Sequence, residues 1–400
     1  MKYGVVFFNE TENLGDDIQT YTALRFLPSV DYIIEREKLS EFVPDKNELV
    51  SIIMNGWYVH DICSLPPSPF INPLVISAHF TDHLANKKPD YFDEYFYDFL
   101  KRVEPIGLRD RLVKQYLDDD GISTYFSGCM TLTIKPFKNI KKENKICLVD
   151  VDKDIEKKVS ETTKCKIVKH THNVNKERNM LLSFNERMKN VEDRLKEYQS
   201  CKLVITSRLH VALPCLSIGV PVLLIYDDKN IDVKNRLGEY TNYVNYISKK
   251  EFLKKPNYDI KNKDDFLKIR KGLEKRIKEF IDDSKNKKLS KNEDIVYYQK
   301  YFVGAKKHLH NMLKSTINNQ QSRIKEFEKN YKNDVKYINK LQMQLKLYQI
   351  ENQMRYDALF RYKNESDRYN QIINSRSYKL YKIIKKPLGL IKRILRIKRW

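Results

Sequence analysis

Lys202-Leu203-Val204-Ile205-Thr206-Ser207-Arg208-Leu209-His210-Val211-Ala212 is the stretch on which the fold turns. Its apolar run suits a strand of a buried parallel sheet. Two hydroxyl residues follow, and 209–218 has the pattern of a helix, with Ser207 as its expected N-cap. A helix N-terminus presents backbone N–H groups and the positive end of a dipole, which together attract an anion. Arg208 adds a guanidinium suited to bidentate binding of carboxylate or phosphate. His210 can exchange a proton near neutral pH. Arginine and histidine at a helix start also serve structural roles. Their place beyond a strand's carboxyl end makes Arg208, Ser207, Leu209 and His210 candidates for a site.

The same rhythm extends in both directions. Strands are expected at 145–151, 165–170 and 221–225, with helices at 152–161 and 177–199 between them. Upstream, strands are expected at 3–8, 48–54, 74–77 and 105–110, with helices at 17–27, 91–103 and from 111. A lysine- and asparagine-rich segment, 135–145, divides the two series. Alternating strands and helices imply parallel sheets with right-handed crossovers. The expected architecture is α/β, with two doubly wound domains at 1–136 and 145–285. Ligands in such sheets lie beyond the carboxyl ends of the strands.

Three further junctions sit at such ends. Asn13-Leu14-Gly15-Asp16 follows the first strand. Gly15 permits close backbone approach, and Asp16 can orient a hydroxyl or cap the next helix. It is not a GxGxxG fingerprint, so no dinucleotide site is expected. Gly107-Leu108-Arg109-Asp110 offers an anion-binding Arg109 and a capping Asp110. Ser127-Gly128-Cys129-Met130-Thr131-Leu132-Thr133 follows a short strand with small residues. His79 follows another strand. His170 and His172 lack partners at metal-ligand spacing, so no metal is expected.

The charge is concentrated. Of the net +22, residues 301–400 hold +17, from 24 Lys+Arg against 7 Asp+Glu. No Pro or Gly occurs from Ala305 to Lys386. A seven-residue period there (Ile317, Ile324, Tyr331, Ile338, Leu345, Asn352, Leu359) predicts a coiled coil over 305–373, and with it a homo-oligomer. Residues 375–400 carry ten basic residues and no acid, interleaved with Tyr378, Tyr381, Ile384, Leu388, Ile391, Leu395 and Trp400. That pattern reads as a basic amphipathic tail on an anionic membrane surface. The aliphatic interleaving favours lipid over nucleic acid. The six scattered cysteines fit reduced thiols. The start of the chain lacks a signal-peptide pattern, and no spanning helix is expected. The expected location is cytoplasmic, peripheral on the inner membrane face.

In this order, Asn13-Leu14-Gly15-Asp16, Gly107-Leu108-Arg109-Asp110, Ser127 to Thr133 and Thr206-Ser207-Arg208-Leu209-His210 resemble the polysaccharide pyruvyl transferase family. Gly219-Val220-Pro221-Val222 and Asn235-Arg236-Leu237-Gly238 match its style, and the resemblance covers about residues 1–245. The C-terminal extension resembles those of bacterial surface-glycan glycosyltransferases. The resemblance implies two Rossmann-like domains in a GT-B-like arrangement. It implies transfer of a pyruvyl group from phosphoenolpyruvate to sugar hydroxyls as a ketal, with no cofactor. The acceptor would be a glycan or lipid-linked oligosaccharide. His210, Arg208 and Asp16 would then be catalytic. Arg109, Ser207, Leu209, Asn13, Gly15, Ser127 and Gly128 would bind the donor, with His79 and Arg236 as further cleft residues. Two other readings stand beside it: a GT-B-type glycosyltransferase using a nucleotide sugar, and an inactive coiled-coil scaffold of a glycan-synthesis complex.

Overall fold

The computed structural model describes residues 1–46, 48–58, 65–80, 94–226 and 238–289, together with 314, 318, 320–322 and 342–354. The first five ranges belong to one compact unit, Met1–Leu309. The last four belong to a second, His310–Trp400, and are helical. Leu345 and Asn352 of the expected coiled-coil seam lie on the 342–354 helix. Ile317, Ile324, Tyr331, Ile338, Leu359 and the whole basic tail, 375–400, lie outside the described residues.

The compact unit holds two all-parallel sheets. The first contains β1 (Lys2–Phe7), β2 (Tyr32–Glu35), β3 (Val50–Trp57), β4 (Ile71–His79), β5 (Ile106–Leu108) and β6 (Thr124–Phe126), in the order β2-β1-β3-β4-β5-β6. The second contains β7 (Glu143–Val149), β8 (Lys166–His170), β9 (Cys201–Thr206), β10 (Val222–Tyr226) and β11 (Tyr246–Ser248), in the order β11-β10-β9-β7-β8. The central strands are buried almost throughout, which explains their unbroken apolar runs. The helices are α1 (Leu14–Leu24), α2 (Glu94–Arg102), α3 (Arg111–Asp119), α4 (Lys153–Thr162), α5 (Lys176–Met180), α6 (Phe184–Ser200), α7 (Leu209–Ser217), α8 (Lys249–Lys254) and α9 (Phe266–Ser284).

Two local expectations change. The single helix expected over 177–199 is two helices, α5 and α6, separated at Leu181-Leu182-Ser183. Ser183 caps the Glu186 amide, and the Glu186 side chain returns to the Ser183 amide. That reciprocal box starts a new helix where periodicity alone runs on. Ser207 is not the N-cap of α7. Arg208 occupies that position with extended backbone, and its own amide donates to Thr206 Oγ1 at 2.9 Å.

Helix α1 couples the halves. Its Leu14 and Ile18 share one core with Val191, Leu195 and Tyr198 of α6, and with Val211 and Cys215 of α7. Asp17 and Arg187, both almost wholly buried, pair at 2.5 and 3.1 Å, and Arg187 also donates to the Phe8 and Asn9 carbonyls. The Leu14 amide donates to the His172 carbonyl at 2.8 Å, and the Val174 amide to the Glu12 carbonyl at 2.9 Å. Helix α9 crosses back. Its Leu273, Ile277, Phe280 and Ile281 pack with Tyr3, Ile53, Leu74 and Ile76 of the first sheet. Arg270 donates to the carbonyls of Leu132 and Ser217, each at 2.6 Å. The two halves are therefore bound to each other by core, main chain and charge, and their strand ends are held in a fixed relation.

Candidate active site

Asn13 caps α1 by accepting from the Gly15 amide at 3.0 Å. Gly15 then lies against His210, the second residue of α7. A Cβ at Gly15 would stand 3.0 Å from His210 Cβ and 3.2 Å from its Nδ1. Glycine lets two helix starts, one from each half, come into close contact there. The next residue, Asp16, accepts from Thr11 Oγ1 at 2.6 Å and from Gln19 Nε2 at 3.3 Å. Burial pushes its carboxyl above the usual range, while the Thr11 hydrogen bond and the charges of Arg36, Arg109 and Arg187 oppose the shift.

Gln19 links this helix to the third junction. Its Oε1 accepts from Arg109 Nη1 at 2.7 Å, and the same nitrogen lies 3.4 Å from His210 Nε2. Arg109 is buried, yet no carboxylate stands at ion-pair distance from it among the described residues. Tyr240, from the second half, donates its hydroxyl to the Arg109 carbonyl at 3.0 Å, and Arg111 pairs with Glu239. The arrangement is a buried cation beside an imidazole and a carboxyl, assembled from β5, α1 and α7. Such a cation needs an anion, and such an imidazole can move a proton to or from it.

Arg208 is placed differently. Its Nε donates to Asp150 Oδ2 at 3.0 Å and its Nη2 to Asn173 Oδ1 at 2.5 Å, while Asn173 pairs in an isolated bridge with Asn13. Ser207 is exposed and donates its hydroxyl to the Asp150 carbonyl. Leu209 packs on the shared core. Ser127 is buried: it accepts from the Ser77 amide at 3.0 Å and donates to the Leu108 carbonyl at 3.1 Å, tying β4, β5 and β6 together. Gly128 has φ +70°, and a Cβ there would come within 2.7 Å of Ile269 on α9, so this glycine admits a helix. His79 sits at the end of β4, buried against Asp110 at 2.6 Å. Arg236 lies outside the described residues.

The structure thus brings together Gly15, Asp16, Arg109 and His210, with Asn13 as their capping neighbour. It adds Gln19, Thr11 and Arg36, which sequence reasoning missed. Gln19 stands three residues after Asp16 on one helix face, a spacing that could have nominated it. Arg36 lies over the Phe8 ring at 4.7 Å and donates to the Trp57 carbonyl at 3.0 Å, and no local pattern marks it.

The polysaccharide pyruvyl transferase family model matches residues 13–229, more than half of the chain. The chain belongs to this family. It is accordingly a transferase, and the matched span runs from the Asn13 cap through the Arg109 and His210 junctions. A comparison with curated proteins finds no match. Among solved structures, a functionally uncharacterised protein of Klebsiella pneumoniae is 10% identical, with 60% of this chain and 88% of that chain covered and a TM-score of 0.34. Among the described residues of this pyruvyl transferase family member, no helix is long and apolar enough to cross a membrane.

Proposed function

We propose that this chain transfers a pyruvyl group from phosphoenolpyruvate to two hydroxyls of a surface-glycan sugar, forming a ketal, on two Rossmann-like halves in a GT-B-like arrangement. The observation that carries this reading is the buried Arg109 guanidinium, which among the described residues has no carboxylate at ion-pair distance, 3.4 Å from the His210 ring and facing it across the two halves. A small trianion fits such a pocket, because a desolvated cation binds an anion far more strongly than it would in water. The start of α7 adds backbone donors.

The chemistry assigns roles in order. His210 protonates the methylene carbon, which leaves an oxocarbenium-like centre at C2. The first sugar hydroxyl adds to that centre, and Asp16 receives its proton; a raised carboxyl pKa suits a base. The second hydroxyl then displaces phosphate and closes the ring. One hydroxyl proton replaces the one given to carbon, and the other leaves with phosphate. The acceptor is a glycan or lipid-linked oligosaccharide, and the basic tail holds the enzyme at the inner membrane face, where that acceptor is concentrated.

The test is phosphate release from phosphoenolpyruvate with extracted lipid-linked oligosaccharide. Acceptor-dependent release, with pyruvylated sugar as product, is expected. If no acceptor stimulates release while a nucleotide sugar shifts the melting temperature, the donor assignment fails.

A further inference from the structure

His79 and Asp110 lie outside the reaction just described, yet they adjoin it. Asp110 follows Arg109 directly. Its Oδ1 caps α3 through the Val113 amide at 2.9 Å, which satisfies the helix without any help from a histidine. Its Oδ2 stands 2.6 Å from His79 Nδ1. Burial raises the Asp110 carboxyl, but the His79 hydrogen bond and charge, the Val113 amide and Arg109 outweigh it and hold the carboxyl below its ordinary range. An ionised carboxylate only accepts, so Nδ1 carries the proton in either state of the ring, and in the neutral ring the basic lone pair is on Nε2. The backbone is shaped for this placement. The β3–β4 register shifts between Met54 and Gly56, Gly56 has φ +116° and Ser77, two residues before His79, has φ +56°. Shifts and left-handed residues of this kind re-aim side chains at strand ends. Among the described residues, the charged groups beside the ring are Asp110 and Arg109; Arg36 is bonded to the carbonyl of Trp57, whose ring lies 6.4 Å from that of His79.

We infer that His79, oriented by Asp110, is a second acid–base residue of this site, serving the acceptor hydroxyl that closes the ketal. This rests on the pyruvyl-transfer reading. His79 Nε2 takes the proton as the hydroxyl oxygen bonds to C2. The C2–O bond to phosphate breaks with its electron pair on oxygen, and Nε2 returns the proton to that phosphate. The donor side thus uses His210, which regains the first hydroxyl's proton from Asp16, and the closing side uses His79, so each imidazole ends the cycle in its starting form.

Two variants test it. Asp110→Asn retains a good helix cap but turns a donor toward Nδ1, which moves the ring proton to Nε2. His79→Asn keeps a donor near the Nδ1 position and cannot titrate. Both should melt within a few degrees of the parent and leave the KM for phosphoenolpyruvate nearly unchanged. Both should lose about 10²-fold or more in kcat, and the acidic limb of the pH profile should flatten. Near-parental kcat with an unchanged pH profile in His79→Asn overturns the inference. Nitrogen NMR of the parent provides a readout independent of turnover. A neutral Nδ1–H ring above its pKa that switches tautomer in Asp110→Asn supports the dyad, and an imidazolium across pH 6–8 overturns it. If the parent itself releases no phosphate with any acceptor, the pyruvyl-transfer reading has failed, and the NMR result alone decides whether the base is there.

Discussion

Arg109 and Arg208 each stand just beyond a parallel strand and just before a helix, one in each half of the molecule, and they differ in what neutralises them. Arg208 is held by the Asp150 carboxylate and the Asn173 amide. Arg109 is held by a neutral amide and lies beside an imidazole. The first is a closed electrostatic unit that joins strand ends. The second, among the described residues, has no carboxylate at ion-pair distance in its buried place. The same local motif therefore yields a fastening in one half and, on the proposed reading, an anion site in the other, and the partner supplied by distant chain decides which.

The largest effect expected from this contrast is at His210, the group closest to Arg109 that can move a proton. His210→Ala should lower kcat by about 10²–10⁴-fold, measured as acceptor-dependent phosphate release. Arg109→Ala should follow closely. Removing a buried charge that binds an anion costs roughly 2–5 kcal/mol, so kcat/KM for phosphoenolpyruvate should fall by about 30-fold to several thousandfold. Arg208→Ala should cost less than tenfold in the same assay, with a loss of stability because Asp150 is left without its cation. A larger catalytic loss at Arg208 than at Arg109 would break the comparison.

Gly15→Ala sharpens it by geometry alone. The added methyl would sit 3.0 Å from His210 Cβ, so the imidazole or the start of α1 must shift. Misplacement by a fraction of an ångström to an ångström costs up to about 10²-fold. The loss should fall on kcat, with the KM for phosphoenolpyruvate little changed and melting nearly parental. Equal loss in binding and turnover would mean that Gly15 serves the donor pocket directly.

Much of this was legible in the sequence. The apolar runs at 203–205 and 222–225 and the order of junctions at Asn13, Gly107, Ser127 and Thr206 carry both the parallel sheets and the family. What was not legible is pairing. Nothing near Arg208 announces Asp150, which is 58 residues away, and nothing near Arg109 announces Gln19, which is 90 residues away. Charge availability is a property of the folded neighbourhood. Edge strands β2 and β11 also escaped, because a four- or three-residue strand paired on one side has no periodicity to show. The approach of Ile269 to Gly128 is likewise a tertiary contact that no local pattern announces.

The smallest expected effect separates the two regions by pH. His172 lies beside the Arg208 cluster: its carbonyl accepts from Leu14, and its buried ring stacks on Tyr198 and bonds the Tyr198 hydroxyl at 3.0 Å. Burial pulls its pKa down to about 3. In the unfolded chain a histidine titrates near its ordinary value of about 6.5. As pH falls below that value the unfolded state takes up a proton that the folded state refuses, so stability declines steadily until the pH approaches 3. Above about pH 7 the group contributes no pH dependence. The melting temperature of the parent should therefore drop more steeply between pH 6.5 and 4 than that of His172→Phe, whose lower but flatter curve lacks this proton. Because His172 anchors the bridge from the second half to the start of α1, acid should loosen the fastened region. Parallel melting curves for parent and variant would show that the ring is hydrated and ordinary, and the fastened region would then have no acid-sensitive joint.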